Sequence, residues 1–150
     1  MSTVFIQGVS RVFDSGRGQS TQALLPVDFE VRDNDFVTIL GPSGCGKSTL
    51  LRIVAGLDKP STGRVLVDGA PVTGPSAERG MVFQSYTLFP WLTVARNIAF
   101  GLRERGVPEA EQRERVAYFI DKVGLRGFED HFPKQLSGGM QQRTAIARAL

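Results

Sequence analysis

The chain has 150 residues, 41% hydrophobic and 22% charged, with a net charge of +3. That length and balance suit one water-facing domain with a real core, include no apolar run long enough to span a bilayer, and scatter the basic residues among acids, as in "LRERGVPEAEQRER", which argues against a nucleic-acid surface. A lone cysteine, Cys45, excludes an internal disulfide, and "MSTVFIQGVSRVF" lacks the basic-then-apolar layout of an export signal, so the expected compartment is reducing and cytoplasmic.

In chain order, "TVFIQGVSRVF" and "ALLPVDFEV" alternate apolar with polar residues and predict two strands, joined by the glycine- and serine-rich loop "DSGRGQS". "DFVTIL", residues 35–40, is β-branched and apolar, and predicts a buried strand. It runs into "GPSGCGKSTLLRIVAGL", where Leu50, Leu51, Val54 and Leu57 recur at helical spacing after Lys47. "RVLVDG" and "RGMVFQ" predict two further short strands. Thr93 can cap a helix over "VARNIAFGLRERG", and Pro108 opens the next at its first position, with Val116, Phe119, Ile120 and Val123 as its apolar face and Gly124 as its end. Ser137, or the glycines after it, starts a last helix. Strands first, helices later and a strand–loop–helix unit at the centre predict an α/β domain with an antiparallel addition at the N-terminus and a helical insert around 92–135.

Gly41, Pro42, Ser43, Gly44, Cys45, Gly46, Lys47 and Ser48 satisfy G-x-x-x-x-G-K-[ST], with Thr49 next in line. A triphosphate concentrates several negative charges in a small volume. The backbone N–H groups of a tight loop and the N-terminus of a helix can cradle it, provided that side chains do not hold the backbone away. Lys47 then reaches the β- and γ-phosphates, the Ser48 hydroxyl is placed to ligate Mg²⁺, and Thr49 adds a hydroxyl to the cluster. Cys45 needs no role there beyond being small.

A phosphate loop implies a nucleotide without saying to what end. Two more stretches narrow it. Gln84 ends the short strand in "MVFQSYTLFPWLTVARNIAFGL", and "LSGGMQQR" puts a Ser-Gly-Gly turn at a helix N-terminus, a second anion site in kind. In this order and spacing the three resemble the ATP-binding subunit of an ABC transporter, a P-loop NTPase, over essentially the whole chain. The resemblance implies that Phe13 stacks on adenine, that Gly41 to Thr49 bind the phosphates, and that Gln84 touches Mg²⁺ and the attacking water while linking nucleotide state to the membrane subunit. Lys47 and Gln84 are thus its catalytic residues, and Ser48 and Gln84 its metal contacts. It also implies that Ser137, Gly138 and Gly139 form a signature turn that caps the ATP held by a second, head-to-tail ATPase subunit. Met140 replaces the family's usual Gln.

As domains, the resemblance implies a nucleotide-binding β/α core over 1–91, a helical subdomain over 92–135 that docks on integral membrane permease subunits, and the signature turn with the start of its helix over 136–150. Tyr86, Leu88, Phe89, Pro90 and Trp91 are apolar and suited to receive a short partner helix. "DGAPVTGPSAERGMVFQ" followed by "LFPWLTV" resembles importers of nitrate, sulfonates, taurine and similar solutes, which work with a solute-binding protein, peripherally on the inner face of the cell membrane. The family's metal-shell Asp, general-base Glu and γ-phosphate His follow the signature helix, beyond Leu150. The sequence is therefore expected to be the front part of a longer ATPase, unable to turn over ATP alone; His131 matches no catalytic position. Alternative readings are a nucleotide-binding fragment incompetent for hydrolysis and a soluble ABC-type ATPase outside transport.

Overall fold

The computed structural model describes residues 2–14, 16 and 18–150, so the predicted 14–20 loop is described only in part, Ser15 and Arg17 lying outside. The chain divides into two compact units, Met1–Arg79 and Gly80–Leu150.

In the first unit, the two alternating stretches form β1 (Val4–Asp14) and β2 (Ser20–Val31), paired antiparallel with Val4 opposite Val31 and Asp14 opposite Ser20. β3 (Thr62–Val67) adds antiparallel to the other edge of β1, and the short β4 (Ala70–Pro71) folds back on β3, giving the order β2-β1-β3-β4. Register shifts between Ile6 and Val12 bend β1, and at the first of them the freed N–H of Gly8 donates to the Asp28 carboxylate at 2.7 Å. Helix α1 (Lys47–Val54) buries Leu50 and Ile53 with Ile6, Val9, Leu24 and Val65. Of the four predicted apolar positions only Leu50 is buried and Val54 half-buried; Leu51 and Leu57 are exposed, and the core face is completed by Ile53.

The second unit is helical. Thr93 caps α2 (Val94–Glu104) by accepting the Arg96 N–H at 3.3 Å, and α3 (Glu109–Lys122) begins one residue after Pro108. Gly124, at φ +64°, ends α3 in a Schellman turn: its N–H donates to the Asp121 carbonyl and that of Leu125 to Ile120. A short 3₁₀ turn (Pro133–Gln135) leads to α4 (Gly138–Ala149). The core is Val94, Ile98 and Leu102 of α2, Val116 and Ile120 of α3, then Leu125, Leu136 and Ala147. Fully burying such a side chain contributes about 1.5–3 kcal/mol. Ion pairs such as Arg113–Glu109 and Arg115–Glu111 join side chains at least 44% exposed, each adding only about 0.3–0.5 kcal/mol. Packing, not surface charge, holds the helices.

Two predicted strands do not form. Residues 35–42 and 80–83 are irregular, and Phe36 is 96% and Leu40 86% exposed, although Ile39 packs on the first core. A parallel strand exists only where neighbours take its N–H and C=O groups, and none of the described residues offers a ladder to either stretch. Apolar composition alone could not report that.

Candidate functional site

The phosphate-loop residues lie in the first unit. Gly46 sits at φ +95°, and a Cβ on it would run into the Ala23 carbonyl, so the loop closes against β2 only because position 46 is glycine. Helix α1 starts directly after it, with no side chain capping its N-terminus and no acid in its first turn. The opening N–H groups of α1 are thereby left for an anion, helped by the helix dipole. Lys47 curls back over the loop, its ammonium donating to the carbonyls of Gly41 at 2.8 Å and Pro42 at 2.7 Å and lying 3.5 Å from Cys45 Sγ. A Cβ on Gly41 would press on that sulfur at 2.8 Å, so a larger residue would fill the cradle. Pro42, Ser43, Gly44, Cys45 and Ser48 are exposed, and Thr49 is half-buried. These residues fit a chain of phosphates: free N–H groups, one ammonium, and the hydroxyl of Ser48 as a hard oxygen ligand.

Phe13, at the end of β1, is 42% exposed, and the Arg11 guanidinium covers its ring at 4.5 Å while pairing with Asp58 at 3.0 Å.

Gln84 lies in the second unit, exposed, in a turn rather than at a strand end. The residues after it run left-handed, Tyr86 at φ +61° and Thr87 at φ +46°, which for side chains other than glycine costs about 1–2 kcal/mol each. Two side chains that sequence reasoning missed hold this segment. Asn97 of α2, fully buried, accepts the Phe89 N–H at 2.9 Å and donates to the carbonyls of Phe89, Leu92 and Thr93 at 3.2, 2.9 and 3.0 Å. Arg148 of α4 donates to the Thr87 carbonyl at 2.9 Å. Both stand on the buried stripes of their helices, Asn97 beside Val94 and Ile98 and Arg148 one turn after Thr144. A polar residue at a core position was the signal available. In the predicted apolar cluster Phe89 packs between Trp91 and Phe100, Tyr86 and Leu88 are half-buried, and Trp91 is 69% exposed.

Ser137 caps α4, its hydroxyl accepting the Met140 N–H at 3.3 Å, and Ser137, Gly138 and Gly139 are all exposed. Buried Leu136 and half-buried Met140 anchor the turn on either side, which accounts for methionine at position 140: the side chain packs on the helical core. Gln141 fastens the turn from below, donating to the carbonyls of Pro133 and Leu136 at 3.0 and 3.2 Å. His131 packs on Phe128, and its carbonyl accepts the Val94 N–H at the start of α2, a structural position. Among the described residues no helix is long and apolar enough to cross a membrane, and no three His, Cys, Asp or Glu are grouped to hold a metal ion.

The ABC transporter family model matches residues 24–150. An uncharacterised ABC transporter ATP-binding protein of Methanocaldococcus jannaschii is 54% identical over 97% of this chain and 54% of its own length. The nitrate import ATP-binding protein NrtD of Synechocystis is 50% identical over the same shares, and the aliphatic sulfonates import ATP-binding protein SsuB of Bacillus cereus 48% identical over 99% and 57%. The chain thus spans just over half the length of these relatives. The ATP-binding cassette MJ0796, solved as a dimer in a post-hydrolysis state with ADP and Pi, superposes with a TM-score of 0.88 at 36% identity, over 98% of this chain and 68% of that one.

Proposed function

The chain belongs to the ABC transporter family, and from that premise we propose that it binds ATP as the front part of a transport ATPase subunit. The observation that carries this reading is the loop from Gly41 to Ser48, with its uncapped helix and the ammonium of Lys47 folded over it. On phosphate arrival Lys47 exchanges two carbonyl acceptors for charged oxygens, a stronger pairing. Mg²⁺, when bound, would neutralise phosphate charge and would be held by Ser48; on the family likeness Phe13 is the proposed adenine platform and Gln84 the proposed residue that responds to nucleotide state.

In the longer protein, ATP binding and hydrolysis drive solute import through separate permease subunits, in a head-to-tail pair in which Ser137, Gly138 and Gly139 meet the partner's nucleotide. The domain layout 1–91, 92–135 and 136–150 follows the same reading. So do a peripheral site on the inner face of the membrane, with the exposed Trp91 beside the permease, and a solute-binding protein upstream. Nitrate, sulfonates, taurine or a similar small solute is the proposed cargo, on the likeness to NrtD and SsuB.

The 150 residues by themselves bind ATP without turning it over, because hydrolysis also needs a general base to deprotonate the attacking water. Steady-state phosphate release with Mg-ATP tests this. The expected result is release at the background level of Lys47→Ala. Turnover well above that variant would overturn the division of labour.

A further inference from the structure

We propose that Arg148 is a positioning residue that fastens the segment after Gln84 to α4, so that this segment and the Ser-Gly-Gly turn behave as one piece. The functional meaning rests on the reading of both as nucleotide contacts; the mechanical claim does not. Arg148 is half-buried, and none of the described ion pairs gives it a carboxylate. Its planar fork goes instead to backbone: Nη1 donates to the Thr87 carbonyl at 2.9 Å, and Nη2 lies 3.5 Å from the Tyr86 carbonyl and 3.3 Å from Thr87 Oγ1. The guanidinium stacks 5.2 Å above the Phe89 ring. Its targets are the carbonyls of the two left-handed residues, a conformation that needs outside support to persist.

The other end of the strut is the Tyr86 side chain, whose hydroxyl lies 3.7 Å from where a Cβ on Gly138 would be. Gly138 and Arg148 stand ten positions apart, about 15 Å along the helix. Arg148 leans toward the N-terminus of α4, as helical side chains do, and Tyr86 covers the remaining distance from the same backbone that Arg148 grips. Tyr86 thus approaches α4 at both ends, its carbonyl beside the Arg148 fork and its hydroxyl facing the space over Gly138. A shift of the segment after Gln84 is passed to the Ser137 turn without crossing the rest of the unit.

The test is amide hydrogen exchange on the whole 150-residue chain without nucleotide, comparing wild type with Arg148→Met, which keeps the stem but removes the donors, and Arg148→Lys, which keeps the charge. The reporters are the N–H groups of Tyr86 and Thr87, which donate to Phe83 and Ser85, and that of Met140, which donates to Ser137 Oγ. Arg148→Met is expected to exchange about tenfold faster at Tyr86 and Thr87, and several-fold faster at Met140. The amides inside α2 and α3 stay unchanged, and Arg148→Lys falls between. Three results would overturn the proposal: wild-type exchange at Tyr86 and Thr87, an equal rise throughout 80–150, or a rise at 86–87 with Met140 unmoved. Should Arg148→Met not fold, Arg148→Lys decides by the same pattern. Since no ATP is present, failure here leaves the phosphate loop untouched, and failure to bind ATP leaves this result standing.

Discussion

Truncating Asn97 to alanine removes one acceptor and two donors from a fully buried position, and the cost can be worked group by group. Two of its four backbone partners keep other bonds: Phe89 O still accepts the Leu92 N–H at 3.1 Å, and Thr93 O still accepts the Asn97 backbone N–H at 2.8 Å. The Phe89 N–H and the Leu92 carbonyl have no second partner among the described hydrogen bonds. Each buried group left unmade costs about 1–3 kcal/mol. The segment is only half-buried, so water offsets part of this, and the expected loss is about 2–4 kcal/mol. The assay is urea unfolding followed by the emission of Trp91, the only tryptophan, which lies within the segment that Asn97 holds. With a urea slope of about 2 kcal/mol per molar, the midpoint should fall by about 1–2 M at unchanged slope. A loss under about 0.5 kcal/mol, the size of an ordinary surface substitution, would refute the accounting.

Three other outcomes are expected. Gly46→Ala must hold an alanine at φ +95° against the Ala23 carbonyl; it should lower the thermal midpoint and abolish any shift on Mg-ATP addition, and a wild-type response would contradict the close approach. Ser137→Ala removes the cap on the Met140 N–H and should cost about 1 kcal/mol in the same urea assay, with Ser137→Gly costing a few tenths. Hydrogen bonds from its own N–H and that of Gly127, then His131 and Arg126, outweigh burial and hold the Glu129 carboxyl below its usual 4.5. Its contribution is thus full above that value and lost as pH falls through the depressed one. Glu129→Gln should therefore flatten the acid limb of the stability curve below about pH 4.5, and an unchanged limb would count against it.

What the sequence made legible was what local chemistry decides. The Thr93 and Ser137 caps, the glycine end of α3 and the strands β1 and β2 depend on residues within a few positions of each other, and each formed where the spacing put it, although the register shifts interrupt the alternation of β1. The apolar run at 35–40 was misread because a parallel strand is a property of its neighbours, and Phe36 and Leu40 have none among the described residues. Asn97 and Arg148 were missed for a related reason. Periodicity sorts residues into core and solvent, whereas both of these carry polar ends inward to backbone groups of one irregular loop, Arg148 from 61 positions away and Asn97 from eight or fewer, a pairing that only the folded loop creates.

The central claim, that the loop from Gly41 to Ser48 is a formed nucleotide site, is tested most directly by a thermal melt of the chain and of Lys47→Ala, each with and without Mg-ATP. At a ligand concentration a hundred times its dissociation constant, binding adds about 2.7 kcal/mol to the folded state. For a chain of this size that is a rise of roughly 5–10 °C. The account predicts that rise in the wild type and its loss in Lys47→Ala. A cooperative wild-type melt indifferent to Mg-ATP, or an equal rise in the variant, would contradict it.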